Sequence, residues 1–405
     1  MTETAPPSNY RRNVALLAFA QALFMTTQAM GIATTPLAGH SLLGADKSLA
    51  TLPIFLNHAG IMLTTIPASL LMGRIGRRAG FTIGAFLAIV FGLLAIYAIY
   101  VRSFEILCVS ALLQGSAAAF AWYYRFAAAD ASPDGFKPKA ISYVMAGGIA
   151  AGFIGPQIAK STVDWFAPIT FLGVYVAISI VGVLSVLLMQ FLRIPQLSAS
   201  EKAEGGRPLS VIARQPTYIA ALVSSMFGYG VMTLVMSATP LAMLACGFKF
   251  GDSATVIQVH IIAMFLPSFF TGQLIQKFGV LTIIATGALI QVGCALVNLA
   301  GIDFANFLIA NALVGLGWNF TYVGGSTLLT RTYRPAERAR VQASHDFVVY
   351  ATTATAAAAA GFLQQKAGWM AINLAALPLM GIVMLTALWL ALKERREAAV
   401  QAAAE

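Results

Sequence analysis

A titratable side chain inside a stretch apolar enough to enter a bilayer costs about 2.5–3.5 kcal/mol on insertion scales, so each such residue calls for a chemical reason. His58 and His260 are two of them, and they stand in the same local pattern: His58-x-x-x-Met62 returns 202 residues later as His260-x-x-x-Met264. Imidazole changes charge near physiological pH. The two rings read either as a protonatable pair or as neutral imidazoles hydrogen-bonded across helix interfaces. Asp346 follows His345 and lies six residues from Arg340, about 9 Å along a helix. No other acid lies as deep in an apolar run. Its carboxyl can carry a coupling proton, pair with Arg74, Arg77 or Arg78, or accept hydrogen bonds at a helix start. Arg125 and Asp130 lie near the end of another apolar run, where an arginine also has the option of snorkelling to the interface.

Other chemistries are absent from the sequence. Cys108, Cys246 and Cys294 fall inside or at the ends of apolar segments, where cysteine behaves as a small hydrophobe. No spacing of metal ligands, no Walker motif and no nucleophile–base set is present, so neither a metal, a cofactor nor catalysis is expected.

The elements that must hold these residues are membrane helices. Hydrophobic residues make up 59% of the chain, charged residues 10%, and the mean hydropathy is +0.80, far from any soluble domain. Crossing a hydrocarbon core of roughly 30 Å takes about 20 apolar residues. Such runs occur at 14–38, 49–72, 80–101, 104–128, 140–163, 169–192, 217–244, 254–275, 280–301, 304–329, 341–364 and 369–392. The fold expected is therefore an all-α membrane protein of twelve transmembrane helices, and the repeat divides them. Arg74-x-Gly76 is matched by Lys277-x-Gly279, and Pro133, Lys137, Lys139 and Ala140 by Pro335, Arg338, Arg340 and Val341. Two six-helix pseudo-repeats, 1–193 and 217–405, are joined by a linker at 194–216 rich in Pro, Gly, Ser and charge. A parallel repeat of this kind is the layout of a secondary transporter.

The net charge of +10 does not point to nucleic acid. With the N-terminus inside, 20 of the 25 Lys and Arg residues fall in the tails and the loops on that side. This bias puts both termini in the cytoplasm. The Ala-rich stretch 354–361 reads as a face for close helix packing.

These features resemble the major facilitator superfamily over essentially the whole chain. Gly73-Arg74-Ile75-Gly76-Arg77-Arg78 is similar to the family's Asp-Arg-x-Gly-Arg-Arg signature, with Gly73 where the acid belongs. The counterpart Gln276-Lys277-Phe278-Gly279 lacks the acid too, and Gln114-Gly115 is preceded by Ala111 where the family carries a basic residue. Gly147-Gly148-x-x-x-Gly152-x-x-Gly155-Pro156 is similar to a glycine-proline motif associated with exporters, at altered spacing. The runs Gly315–Phe320, Gly324–Leu329 and Met264–Gly272 resemble a bacterial branch that includes riboflavin importers.

The resemblance carries several implications. The second and eighth helices, with His58 and His260, flank a central cavity. Asp346 pairs with the arginines after the second helix and closes a cytoplasmic gate, standing in for the acid missing at Gly73. Asp130-x-x-Pro133 resembles an acid-to-proline segment that faces the same basic loop, so an Asp130–Arg78 pair is expected. The cavity-lining helices carry Gln28, Tyr229, Asn311, Trp318, Asn319 and Tyr322, whose aromatic faces and amides suit a flat, uncharged heteroaromatic solute. Ordinary helix packing is the alternative for each.

The function expected is secondary active transport of a small organic solute across a bacterial inner membrane, by a monomer. Riboflavin is the leading solute and protons the leading coupling ion. A proton-coupled drug or metabolite exporter is the alternative within the class. A non-transporting membrane sensor is the alternative outside it, and would call for a large output domain where this sequence has tails of about 13 residues.

Overall fold

Backbone that enters hydrocarbon must satisfy its own N–H and C=O groups, which restricts a chain of this composition to helices. The computed structural model describes residues 9–43, 52–194, 206–248 and 250–404, and every regular element among them is helical. Residues 195–205 of the expected linker, with Lys47 and Lys249, lie outside the described residues. Among the described residues ten helices are long and apolar enough to span a membrane, and an eleventh span arises if a bent pair is counted as one. The expected segment 341–364 is helical but does not meet that composition. It carries Gln342, His345 and Asp346, followed by an alanine- and threonine-rich run.

The chain forms two compact units. The first contains α1 (Tyr10–Leu42), α2 (Leu52–Ile75), α3 (Arg77–Tyr100), α4 (Phe104–Ala121) and α5 (Tyr124–Asp130). It also takes the end of α6 (Lys137–Ala146), then α7 (Gly148–Thr162) and α8 (Leu172–Met189). To these it adds 342–350, a stretch from far along the sequence. Ser103 starts α4 by accepting from Ile106 N–H at 3.2 Å, the usual service of a serine N-cap. Once started, α4 packs on α1, α2 and α3. At Gly115 a Cβ would lie 1.9 Å from the Asn57 carbonyl oxygen, so α2 and α4 touch backbone to backbone.

The second unit contains α9 (Leu209–Ile212), α10 (Pro216–Ala245), α11 (Phe250–Phe265), α12 (Ser268–Phe278), α13 (Val280–Ala300), α14 (Phe304–Leu329) and α15 (Arg338–Ala404) apart from 342–350. It also takes 135–142. Its centre is α14, packed on α10, α11 and α13. Gly315 lies against the His260 carbonyl as Gly115 lies against that of Asn57. A Cβ on Gly287 would stand 2.7 Å from Phe320 Cβ, as one on Gly84 would stand 2.5 Å from Phe120 Cβ. The tight turns match as well, with Gly76 at φ 90° and Gly279 at φ 86°, values that favour glycine. The duplication read from sequence is thus repeated as packing.

Two breaks shape the second unit. Gly368, at φ 75°, divides α15 into two helices. Pro267, which has no N–H to give the ladder, stands at the junction where α11 and α12 bend by 42°.

Candidate functional site

The first unit holds a cluster of buried charges. Arg125 donates from Nη2 to both carboxylate oxygens of Asp346, at 2.7 and 2.8 Å, and from Nη1 to the Trp122 carbonyl. Side-chain exposure is 1% for Arg125 and 0% for Asp346. His345 Nδ1 lies 2.8 Å from Asp346 Oδ1, so one carboxylate serves two cationic or potentially cationic groups. The Arg125 guanidinium also lies 4.2 Å from the centre of the Phe126 ring, a desolvated cation–π geometry. Beside this, Arg77 donates to Asp130 at 3.2 Å and to Gln342, and Gln342 donates on to Asp130 at 3.4 Å. Gln342, His345 and Asp346 share one face of α15 at helical spacing, which is how one short stretch meets both arginines.

The pairing differs from the expected one. Asp346 meets Arg125 and not the loop arginines, and Asp130 meets Arg77 and not Arg78. Arg78 instead donates to Gln190 at 3.0 Å on an exposed surface, and Arg74 is exposed at the end of α2. Successive helix positions point about 100° apart, so only one arginine of the 77–78 pair can face inward.

The second unit holds an uncharged cluster on α10, α11 and α14. Trp318 and Tyr322 stack at 5.1 Å with an interplanar angle of 19°. Tyr229 meets both edge-on at 5.4 and 5.1 Å, and Phe265 meets Trp318 at 5.7 Å. Trp318 is buried, and its Nε1 has no hydrogen-bond partner among the described residues. Asn319 is committed elsewhere. It donates to the Met264 carbonyl at 2.7 Å and to Ser268 Oγ, and accepts from Thr271 at 2.7 Å. It thereby ties α14 to both arms of the bend at Pro267. Asn311 donates to Thr239 at 3.2 Å and to the Phe307 carbonyl at 3.0 Å, while its own carbonyl lies 2.9 Å from His260 Nδ1.

The two matched histidines have diverged. His260 is fully buried and bonded across a helix interface, whereas His58 Nδ1 lies 3.0 Å from the Ile54 carbonyl of its own helix. Gln28 accepts from Gln114 at 2.7 Å and lines a narrow cavity in the first unit with Phe24, Thr27, Tyr124 and Ser185. Sequence reasoning missed Gln342, Phe265 and the clasp formed by Arg207 and Glu337. Arg207 donates from its backbone N–H and from Nε to Glu337 Oε1 at 2.8 and 2.7 Å, and from Nη2 to Oε2 at 2.7 Å. These hydrogen bonds push the Glu337 carboxyl down to about 2.

Known proteins resemble this chain along nearly its whole length. The family model described as Major Facilitator Superfamily matches residues 14–302. The riboflavin transporter RfnT of Brucella anthropi is 37% identical over 391 residues, covering 96% of this chain and 98% of that protein. The uncharacterized MFS-type transporter YddS of Bacillus subtilis is 25% identical over 94% of this chain and 91% of that one. Among solved structures, the transporter FucP in its outward conformation aligns with a TM-score of 0.76 at 18% identity, over 94% of this chain and 99% of FucP. The human organic anion transporter MFSD10 aligns at 0.75 with 13% identity, over 94% of this chain and 100% of that one. Matched helices, matched turns and a family model spanning residues 14–302 agree: this chain is a multi-pass membrane protein and belongs to the Major Facilitator Superfamily.

Proposed function

We propose that the protein imports riboflavin, or a flat heteroaromatic close to it, across a bacterial inner membrane. The observation that carries this reading is the 37% identity to a riboflavin transporter over 96% of the chain. The isoalloxazine of riboflavin is a planar, uncharged ring system with polar edges, and aromatic side chains offer it stacking faces. In this reading Trp318, Tyr322 and Tyr229 of the second unit supply the apolar face. Asn319 and Asn311 shape the site by holding α11, α12 and α14 in place. Arg125 and Asp346, with Arg77 and Asp130 beside them, form a latch that holds the 342–350 stretch on α4 and α5. His58 and His260 take the packing role that their backbone partners suggest. Protons are the proposed coupling ion, both termini face the cytoplasm, and one chain suffices.

Purified protein in sealed vesicles tests this directly. Labelled riboflavin should accumulate against its gradient when a proton gradient of one orientation is imposed, and unlabelled riboflavin should compete. Accumulation only under the opposite orientation makes the protein an exporter. Absence of both accumulation and exchange sinks the riboflavin reading.

A further inference from the structure

His345 is fully buried, its Nδ1 faces Asp346, and its Nε2 has no hydrogen-bond partner among the described residues. A neutral ring that donates from Nδ1 leaves a lone pair on Nε2. That atom is where a proton would add. The groups around it are Asp346 on the same helix, Arg125, Tyr123 and the Phe126 ring from the α4–α5 region, and next to these the Arg77–Asp130 pair with Gln342. With the imidazole neutral, the two arginines and two carboxylates cancel.

We propose that His345 is the coupling-proton site, and that its protonation lets Arg125 leave Asp346. Releasing Arg125 from a buried carboxylate would strand the negative charge, which is the dominant cost of breaking a buried pair. An imidazolium at 2.8 Å removes that cost, because Asp346 keeps a cation when the guanidinium departs. The proton comes from water on one side, forms the Nε2–H bond and brings one positive charge. Two cations then compete for one carboxylate. Arg125 yields, remaining on the Trp122 carbonyl and the Phe126 face. When Arg125 returns, the added charge becomes unfavourable and the proton goes to water on the other side. His345 is in this scheme the only histidine with a described side chain that touches a carboxylate.

The first test needs no solute. Trp122 and Tyr350 lie 5.9 Å apart, ring centre to ring centre, on the two sides of the latch. With the native cysteines replaced, Trp122→Cys and Tyr350→Cys report latch closure through the yield of a short bifunctional crosslinker. The yield should fall roughly fivefold as the pH drops from about 8 to about 5.5, the interval in which histidine changes charge. It should stay high throughout in His345→Gln and low throughout in His345→Arg, which fixes the charge. A yield independent of pH with His345 present overturns the proposal, as does an unchanged pH response in His345→Gln. The second test, proton-driven riboflavin uptake, rests on the transport reading. There His345→Gln should retain riboflavin exchange and lose stimulation by the gradient, while full stimulation overturns the proposal. Failure of wild-type protein to move riboflavin sinks only the solute assignment, because the crosslinking result stands without it.

Discussion

Helices α4 and α14 are the same element in two copies, and they part company near their ends. Over most of their length the copies agree, since Gly115 and Gly315 each meet a neighbouring carbonyl and Phe120 and Phe320 each cover a glycine. Beyond that point α4 stops at Ala121 and restarts as α5 with Tyr124 and Arg125, whereas α14 runs on through Tyr322, Gly324 and Gly325 to Leu329. Asp346 and His345 likewise match Met145 and Val144 in the other repeat. The charged cluster, built from Arg77, Arg125 and Asp130 of the first repeat and Gln342, His345 and Asp346 of the second, therefore has no exchanged copy, since Arg125 is matched by Gly325 and Asp346 by Met145. Packing survives duplication because each glycine contact stands alone. A buried charge must be gained together with its partner, so the Arg125–Asp346 pair arises once, with one residue from each repeat.

The largest way to break this contrast is to unpair the charges. Arg125→Met or Asp346→Leu alone should destabilise the purified protein by about 3–5 kcal/mol, because each leaves an uncompensated buried ion. The double substitution should regain most of it. Thermal unfolding of the four proteins reads the cycle, and additive losses would show that the two residues act independently. Asn319→Leu should cost less, about 1–3 kcal/mol, by removing the donor to the buried Met264 carbonyl and Ser268 hydroxyl. If the loss appears instead as poorer discrimination among solutes at unchanged stability, Asn319 belongs to the solute site.

Trp318→Ala should raise the apparent KM for riboflavin roughly tenfold, as an aromatic contact contributes about 0.5–1.5 kcal/mol beyond the area it buries. Trp318→Phe should recover most of this, and an unchanged KM in well-expressed Trp318→Ala would reduce the stack to packing.

The smallest effect belongs to the Arg207–Glu337 clasp, whose arginine side chain is 34% exposed. A carboxyl depressed to about 2 stabilises the folded state above its unfolded value of about 4.3 and loses that contribution as the pH falls towards 2. The difference in melting temperature between wild type and Glu337→Gln should therefore be present at neutral pH and vanish near the acid end. A difference that persists there would assign the effect to shape rather than charge.

Much of this was legible in the chain. Hydropathy and the echo of His58-x-x-x-Met62 at His260 set the class, the repeat and its register, because bilayer thickness and glycine turns act locally. Asp346 and Trp318 stood out for the same reason: an acid or an indole in an apolar run is rare. Their partners did not stand out. Arg125 meets an acid 221 positions away, and Arg77 meets Gln342 across 265. Which of Arg77 and Arg78 faces inward depends on the rotation of α3 about its axis, which a run of apolar residues on every side leaves undetermined. The 341–364 segment reads as a span from its alanines, and that composition does not announce that Gln342, His345 and Asp346 enter a buried polar cluster.

The bend at Pro267 has a consequence for the order in which the protein is built. Its freed Met264 carbonyl is answered by the side chain of Asn319, 55 residues further along. As ribosomal synthesis runs from the N-terminus, α11 and α12 emerge and meet lipid before α14 exists. Until α14 arrives, a polar group sits in hydrocarbon with no donor, at a cost of several kcal/mol. The nascent helix pair then either waits at the translocon or stays straight, and takes its final shape only when the tenth span is laid beside it.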